Sequence, residues 1–147
     1  MRGFEKVSSA LGKDNILLPS RSTKGSAGYD FYSPDDLLIP AKGEVIIKTG
    51  IKAYMNPDEV LFLFPRSSLG IKKSLMLKNT IGVIDSDYYN NEDNEGEILA
   101  SFYNFSDQDV EIKKSTKVFQ GVFQKILLAD DDSQTDSRKG GIGSTGE

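Results

Sequence analysis

Asn79-Thr-Ile-Gly-Val-Ile-Asp-Ser-Asp-Tyr88 is a short apolar run closed by turn formers, the pattern of a buried strand that ends at a polar loop. The run extends from Ile81 to Ile84 and delivers Asp85, Ser86 and Asp87 into the turn. Gly82 interrupts it without a side chain, which lets another backbone or a ligand approach closely. A carboxylate at the mouth of such a strand can act as a general base. The adjacent Tyr88 offers a flat face to a sugar or a base. Taken alone, the stretch reads first as an acidic turn between two strands.

Its neighbours set the fold class. Upstream, Glu59-Val-Leu-Phe-Leu-Phe64 is an apolar run of strand length behind the turn Asn56-Pro-Asp58, and Leu75-Met-Leu77 leads into the opening stretch. Downstream, Glu97 to Asn104 is a strand, Phe105 to Asp109 a turn, Val110 to Ile112 a short strand, and Lys117 to Leu128 a long one. In that last run Val118, Gln120, Val122 and Gln124 fall on one face, with a bulge expected around Gly121. Nearer the N-terminus, Ile16 to Pro19 reads as an opening strand before the basic loop Ser20 to Gly25. Ser26 to Ser33 follows as a strand with Tyr29 and Phe31 on one face and Asp30 on the other, then Leu37 to Pro40 and Glu44 to Gly50. Short strands at this spacing, with Gly, Pro, Asn and Asp between them, predict an all-β sandwich or barrel. Pro65-Arg-Ser-Ser-Leu-Gly-Ile-Lys-Lys-Ser74 breaks the pattern: Pro65 ends the strand, and the residues after it read as one short helix. An Arg, two hydroxyls and free N–H groups there suit an anion, although a simple cap with a solvated Arg fits the same residues.

Composition narrows the chemistry. The 147 residues suit one domain, and 37% apolar with 27% charged residues is ordinary for a globular chain. No apolar run approaches the roughly 20 residues that span a bilayer, and the N-terminus lacks the apolar core of a secretory signal, so a cytoplasmic location is expected. The chain has neither Cys nor His. Disulfides, thiolate metal sites and imidazole bases are therefore excluded, leaving carboxylates, Lys or Tyr for proton transfer and hard, oxygen-loving ions for any metal. A net charge of −4 argues against broad nucleic-acid or anionic-membrane binding.

From Ala129 the composition changes. Asp130 to Ser137 is acidic and polar with nothing to bury, a linker of flexible type. Arg138-Lys-Gly-Gly-Ile-Gly-Ser-Thr-Gly146 closes the chain with residues that can wrap phosphates through N–H groups, hydroxyls and a guanidinium. A Gly/Ser tail alone is more commonly a disordered end. The division is residues 1–128 as a β-domain and residues 129–147 as linker and Gly-rich lid.

Five segments resemble, in order and spacing, the motifs of the homotrimeric dUTP diphosphatase (dUTPase) family. They are Ala27-Gly-Tyr-Asp-Phe31, Pro65-Arg-Ser-Ser-Leu-Gly70, Gly82-Val-Ile-Asp-Ser-Asp-Tyr88, Lys117-Val-Phe-Gln120 and Arg138 to Gly146. The resemblance implies a jelly-roll-like β-domain that trimerises, with sites formed where subunits meet. It implies hydrolysis of dUTP to dUMP and pyrophosphate with magnesium on the triphosphate, keeping uracil out of DNA and supplying dUMP for dTMP synthesis. Asp85 resembles the base that deprotonates the water attacking the α-phosphorus. Arg66, Ser67, Ser68 and Gln120 resemble phosphate ligands. Asn79, with the backbone of Gly82, Val83 and Ile84 and with Leu99, resembles the uracil reader. Tyr88 would pack on the deoxyribose and leave no room for a 2′-hydroxyl. Asp30 resembles an acid near the metal, acting through water. The tail would fold over a nucleotide at another subunit's site, bringing Arg138, Ser144 and Thr145 to the β- and γ-phosphates, with Ile142 and Gly143 over the base.

The chain departs from that pattern at named places. Lys117 stands where the family usually has Arg, and Ile142 where an aromatic usually caps uracil. The spacing from Arg138 to Ile142 is one residue shorter than usual. The third motif usually runs Asp-Tyr-x-Gly, whereas Tyr89 to Glu95 here separates Tyr88 from Gly96 in a longer, acidic hairpin tip. Tyr88, rather than Tyr89, is assigned to the sugar, and Asp87 to a structural role. Two other readings share the fold: a dCTP deaminase-like enzyme, and a dUTP-binding regulatory protein that contacts a protein partner through loop 89–95.

Overall fold

Residues of the strand Leu99–Asn104 alternate half-buried and buried along its whole length, as a strand with one face on a core must. The structure, a computed structural model, describes residues 1–146; Glu147, the end of the tail segment, lies outside them. The strands in chain order are β1 (Gly3–Lys6), β2 (Tyr29–Tyr32), β3 (Leu37–Ile39), β4 (Glu44–Lys48), β5 (Ile51–Tyr54), β6 (Glu59–Pro65), β7 (Leu75–Leu77), β8 (Gly82–Asp85), β9 (Leu99–Asn104), β10 (Val110–Ile112) and β11 (Lys117–Lys125). One helix, α1 (Ser67–Lys73), lies between β6 and β7.

All pairings are antiparallel. A four-stranded sheet runs β2-β11-β6-β8 and a three-stranded sheet β4-β9-β7, with β1-β5 and β10-β3 as flanking pairs. The two larger sheets meet through aromatic rings. Phe31 of β2 stacks on Phe119 of β11 with centroids 4.5 Å apart, and Phe102 of β9 reaches Phe119 at 6.4 Å. Leu61, Ile47, Leu75, Ile98 and Ile112 complete a core of fully buried side chains, each contributing about 1.5–3 kcal/mol of burial. This is the expected all-β, jelly-roll-like sandwich. No helix among the described residues is long and apolar enough to cross a membrane.

Three expectations are corrected. Ile16 to Pro19 is not a strand. Ile16, under Gly50, and Pro19 are buried, while Leu17 and Leu18 stay exposed, and Ser20 makes a lone bridge to Asp30. The opening strand is β1 instead, which pairs with β5 and packs Phe4 against Phe31, Tyr29 and Phe123. The irregularity in β11 lies between Lys117 and Phe119, not at Gly121. It turns both Val118 and Phe119 inward, each fully buried, so Val118 leaves the face it was expected to share with Gln120.

Candidate active site

The first corner of the site is built at the end of β8. Gly82 lies opposite Leu63 of β6, and a β-carbon there would come within 2.9 Å of the Leu63 side chain. The missing side chain is therefore what lets β8 close on β6. Beyond Asp85 the chain enters a 3-10 turn, Ser86–Tyr88. The Tyr88 hydroxyl donates to the Glu97 carbonyl at 2.9 Å and accepts from the Asn94 amide at 2.8 Å. Tyr88 is thereby fixed, with its ring beside a cavity of about 280 Å³. Asn79, Gly82, Val83, Ile84, Asp85 and Leu99 line the same cavity, together with Leu63, which the sequence did not single out. Asn79 is presented by a strained turn in which the β-branched Thr80 has a φ of 65°, a conformation costing about 1–2 kcal/mol. Tyr89 does not line this cavity. Its hydroxyl donates to Glu5 at 2.6 Å, and its ring lies under the Lys52 ammonium.

The tail closes this corner. Arg138 pairs with Asp85 at 2.5 Å and with Asp87 at 2.9 Å, its guanidinium 5.6 Å from the centre of the Tyr88 ring. Burial opposes its charge, but the Asp87 and Asp85 carboxylates outweigh burial and hold Arg138 above its ordinary pKa. The same guanidinium donates to the Gly141 carbonyl and the Ser144 hydroxyl. Ser144 in turn donates to the Gly140 carbonyl at 2.9 Å, so it braces the tail rather than lining the cavity. Ile142, Gly143 and Thr145 do line it. Within the one chain the tail lies over that chain's own Asp85. Asp87, assigned a structural role, is a direct partner of Arg138.

The second corner gathers the remaining residues. Ser22, Gly28, Asp30, Arg66, Ser67 and Gln120 are among those lining a cavity of about 400 Å³. Asp30 is 7% exposed and sits between Lys117 at 3.1 Å and Arg66 at 3.5 Å, accepting also from the Ser22 hydroxyl at 2.6 Å. Burial alone would raise its pKa; the Ser22 and Lys117 hydrogen bonds and the Arg66 charge outweigh burial and hold it below the ordinary aspartate value. Lys117, the departure from the family's Arg, thus makes one point contact to Asp30 and one to Ser22. Gly28 matters because a β-carbon there would collide with the Gln120 amide oxygen at 2.2 Å. Ser67 and Ser68 are exposed on α1, where Arg66 is the N-cap without a side-chain cap bond. Ser68 is not among the residues lining this cavity. Among the described residues, no three acidic groups cluster as metal ligands.

The two corners share one sheet but not one place. Asp30 and Phe64 both register with Gln120, whereas Asp85 registers with Val60. At about 4.8 Å per strand and 3.4 Å per residue, the two carboxylates are roughly 20 Å apart. Phe62, Phe64, Val83 and Val122 lie on the outer face between them, half-buried or exposed.

A sequence profile described as dUTPase matches residues 14–146. The deoxyuridine 5′-triphosphate nucleotidohydrolase of Lactococcus lactis is 48% identical over 149 residues, covering 99% of this chain and 98% of that protein. The crystal structure of the dUTPase from Streptococcus mutans is 48% identical with a TM-score of 0.80, covering 87% of this chain and 98% of that one. The dUTPase of S. aureus phage phi11, described with a structural Mg(II) ion, shares the fold at 18% identity, with a TM-score of 0.73 over 92% of this chain and 97% of that one.

Proposed function

The chain belongs to the dUTPase family and is a dUTP diphosphatase, and we propose that its two corners divide that reaction between them. The Asp85 corner reads the nucleoside and activates water. Asn79 and the Val83 and Ile84 backbone contact uracil, with Gly82 and Leu99 beside them. Tyr88 packs on the deoxyribose, where a 2′-hydroxyl would clash. Asp85 takes a proton from the water as its oxygen bonds to the α-phosphorus; the bond from that phosphorus to the bridging oxygen breaks, and pyrophosphate leaves. A positioned base of this kind contributes about 10²–10⁴-fold.

The Asp30 corner holds the triphosphate through Arg66, Ser67, Ser68 and Gln120. Its single carboxylate is already matched by two cations, so the donor set fits an ion that arrives on the phosphates, with Asp30 facing it through water. Magnesium held on the triphosphate would supply Lewis-acid charge against the phosphate oxygens as pyrophosphate departs. Residues 1–128 carry both corners, and residues 129–147 supply linker and lid. The lid brings Arg138 and Thr145 to the β- and γ-phosphates, braced by Ser144, with Ile142 and Gly143 over the base.

One triphosphate cannot bridge corners roughly 20 Å apart while its α-phosphorus touches Asp85 and its phosphates touch Arg66 of the same chain. A second copy, docked on the outer face of Phe62, Phe64, Val83 and Val122, brings unlike corners together; a homotrimer does so three times. The observation that carries the reading is the single cavity lined by Asn79, Asp85, Tyr88 and Leu99 with Arg138 across it. The test is pyrophosphate release from dUTP, UTP, dTTP and dCTP, with and without magnesium. Magnesium-dependent release from dUTP alone is expected. Release of ammonia from dCTP, or binding of dUTP without turnover, would overturn it.

A further inference from the structure

We propose that the hairpin tip between Tyr88 and Gly96 is a latch for the C-terminal lid, with Asp93 as its positioning residue. The inference rests on the lid reading above and adds to it. Gly140 and Gly141 are buried, unlike the exposed residues that follow them. The Gly141 N–H donates to the Asp93 carboxylate at 2.7 Å. A β-carbon on Gly140 would meet that carboxylate at 2.5 Å, and one on Gly141 would come within 3.4 Å of the Asn94 side-chain oxygen and 3.5 Å of that of Asn91. The two glycines are therefore seated against the tip, not merely near it.

The tip is built to hold still. Asn91 donates to the Tyr88 carbonyl and the Asn94 side chain, and accepts from the backbone N–H of Asp93 and Asn94. Asn94 accepts from the Gly96 N–H and donates to the Tyr88 hydroxyl. At the base of the loop, Lys52 donates to Asn90, and Ser8 donates to Glu95. Both asparagines are satisfied within the hairpin, whereas the Asp93 carboxylate, among the described residues, hydrogen-bonds to Gly141 alone. Its one partner is the lid.

Two attachments set the lid's register: Gly141 on Asp93, and Arg138 on Asp85 and Asp87. A longer tip and a tail one residue shorter, two of the departures seen in the sequence, meet at this contact. A lid ordered beforehand loses less freedom when nucleotide binds, so the latch acts on affinity more than on the chemical step.

The test compares the full chain with Asp93→Ala, Asp93→Asn and a chain ending at residue 137. Gly141 amide exchange and the KM and kcat for dUTP are measured for the full-length chains, and activity for the truncated one. Asp93→Ala is expected to speed Gly141 exchange and raise KM about tenfold, with a much smaller change in kcat, as loss of a hydrogen bond to a charged acceptor implies. Asp93→Asn, which keeps an acceptor oxygen, is expected to restore most of both. Unchanged Gly141 exchange and KM in Asp93→Ala, with the truncated chain inactive, would overturn the latch and leave the lid standing. Full activity of the truncated chain would overturn the lid, and the latch with it.

Discussion

Asp85 and Asp30 are both acids on one sheet with cations for partners, yet their surroundings differ. Asp85 is half-exposed, and its cation arrives on a segment without strand or helix, 53 residues further along the chain. Asp30 is buried, and its cations stand at the N-cap of α1 and the start of β11, parts of the frame. Arg138 is nearly buried between Asp85 and Asp87, and on the reading proposed above it exchanges Asp85 for a phosphate when nucleotide binds. The Asp30 cluster is a fixture: Ser22, Lys117 and Arg66 hold it in place whatever binds. One carboxylate is thus free to change partners during a reaction, and the other keeps its cations aimed at a constant point.

The largest effect should come from the changeable acid. Asp85→Asn is expected to lower kcat about 10³-fold while dUTP still binds, because an amide cannot take the water's proton; near-normal turnover would remove Asp85 from the role of base. Deletion of residues 138–147 should lower kcat/KM about 10²-fold, the scale of losing a charge-stabilising donor group, with the melting temperature nearly unchanged. At the fixed corner, Arg66→Ala should raise KM for dUTP about tenfold yet leave deoxyuridine, which has no phosphates, binding as before. A loss of deoxyuridine binding would mean the corners are not separate. Refolding Asp85→Asn and Arg66→Ala chains together should give turnover at low dUTP above that of either chain alone, since each supplies the corner the other lacks. No recovery would count against sites shared between chains.

A third acid on the sheet supplies the reference for a carboxylate with no site. Glu59 is buried and bonded to Arg2 and to the Asn56 backbone. The Arg2 hydrogen bond leads the causes that lower its pKa from 4.5 to about 2. The unfolded chain binds this proton first as pH falls, so the stabilisation is complete above about pH 4.5 and lost on the way down to about pH 2. Glu59→Gln should flatten that part of the acid melting curve; an unchanged slope would mean the Arg2 contact adds nothing.

Much of this was legible in the chain itself. β2, β3, β4, β6, β9 and β10 announce themselves by apolar runs between turn formers, and β8 by the run that ends at Asp85, whereas β5 and β7 are not read as strands. β1 is not either, because Gly3, Glu5 and Lys6 flank a single apolar Phe4 whose partners lie far off in sequence. The bulge in β11 escaped because Val118 and Phe119 are both apolar, and pattern alone cannot say which of two leaves the alternation. Residues of the two corners were found through ordered motifs, while Ser22 and Asp93 were not. Each acts through hydrogen bonds to residues at least eight positions away, which no local pattern encodes. The separation of the corners was also invisible, since it depends on register across four strands.

The stacking of Arg138 over Tyr88 has an optical consequence. The chain contains six tyrosines and no tryptophan, so its ultraviolet emission is that of phenol rings alone. Of these, Tyr88 lies under the lid's guanidinium, with its hydroxyl bound inside the hairpin. Lifting the lid exchanges a cation for solvent over that ring. The protein therefore carries an intrinsic fluorophore at its own hinge of action, and stopped-flow emission can follow opening and closing in real time without a label.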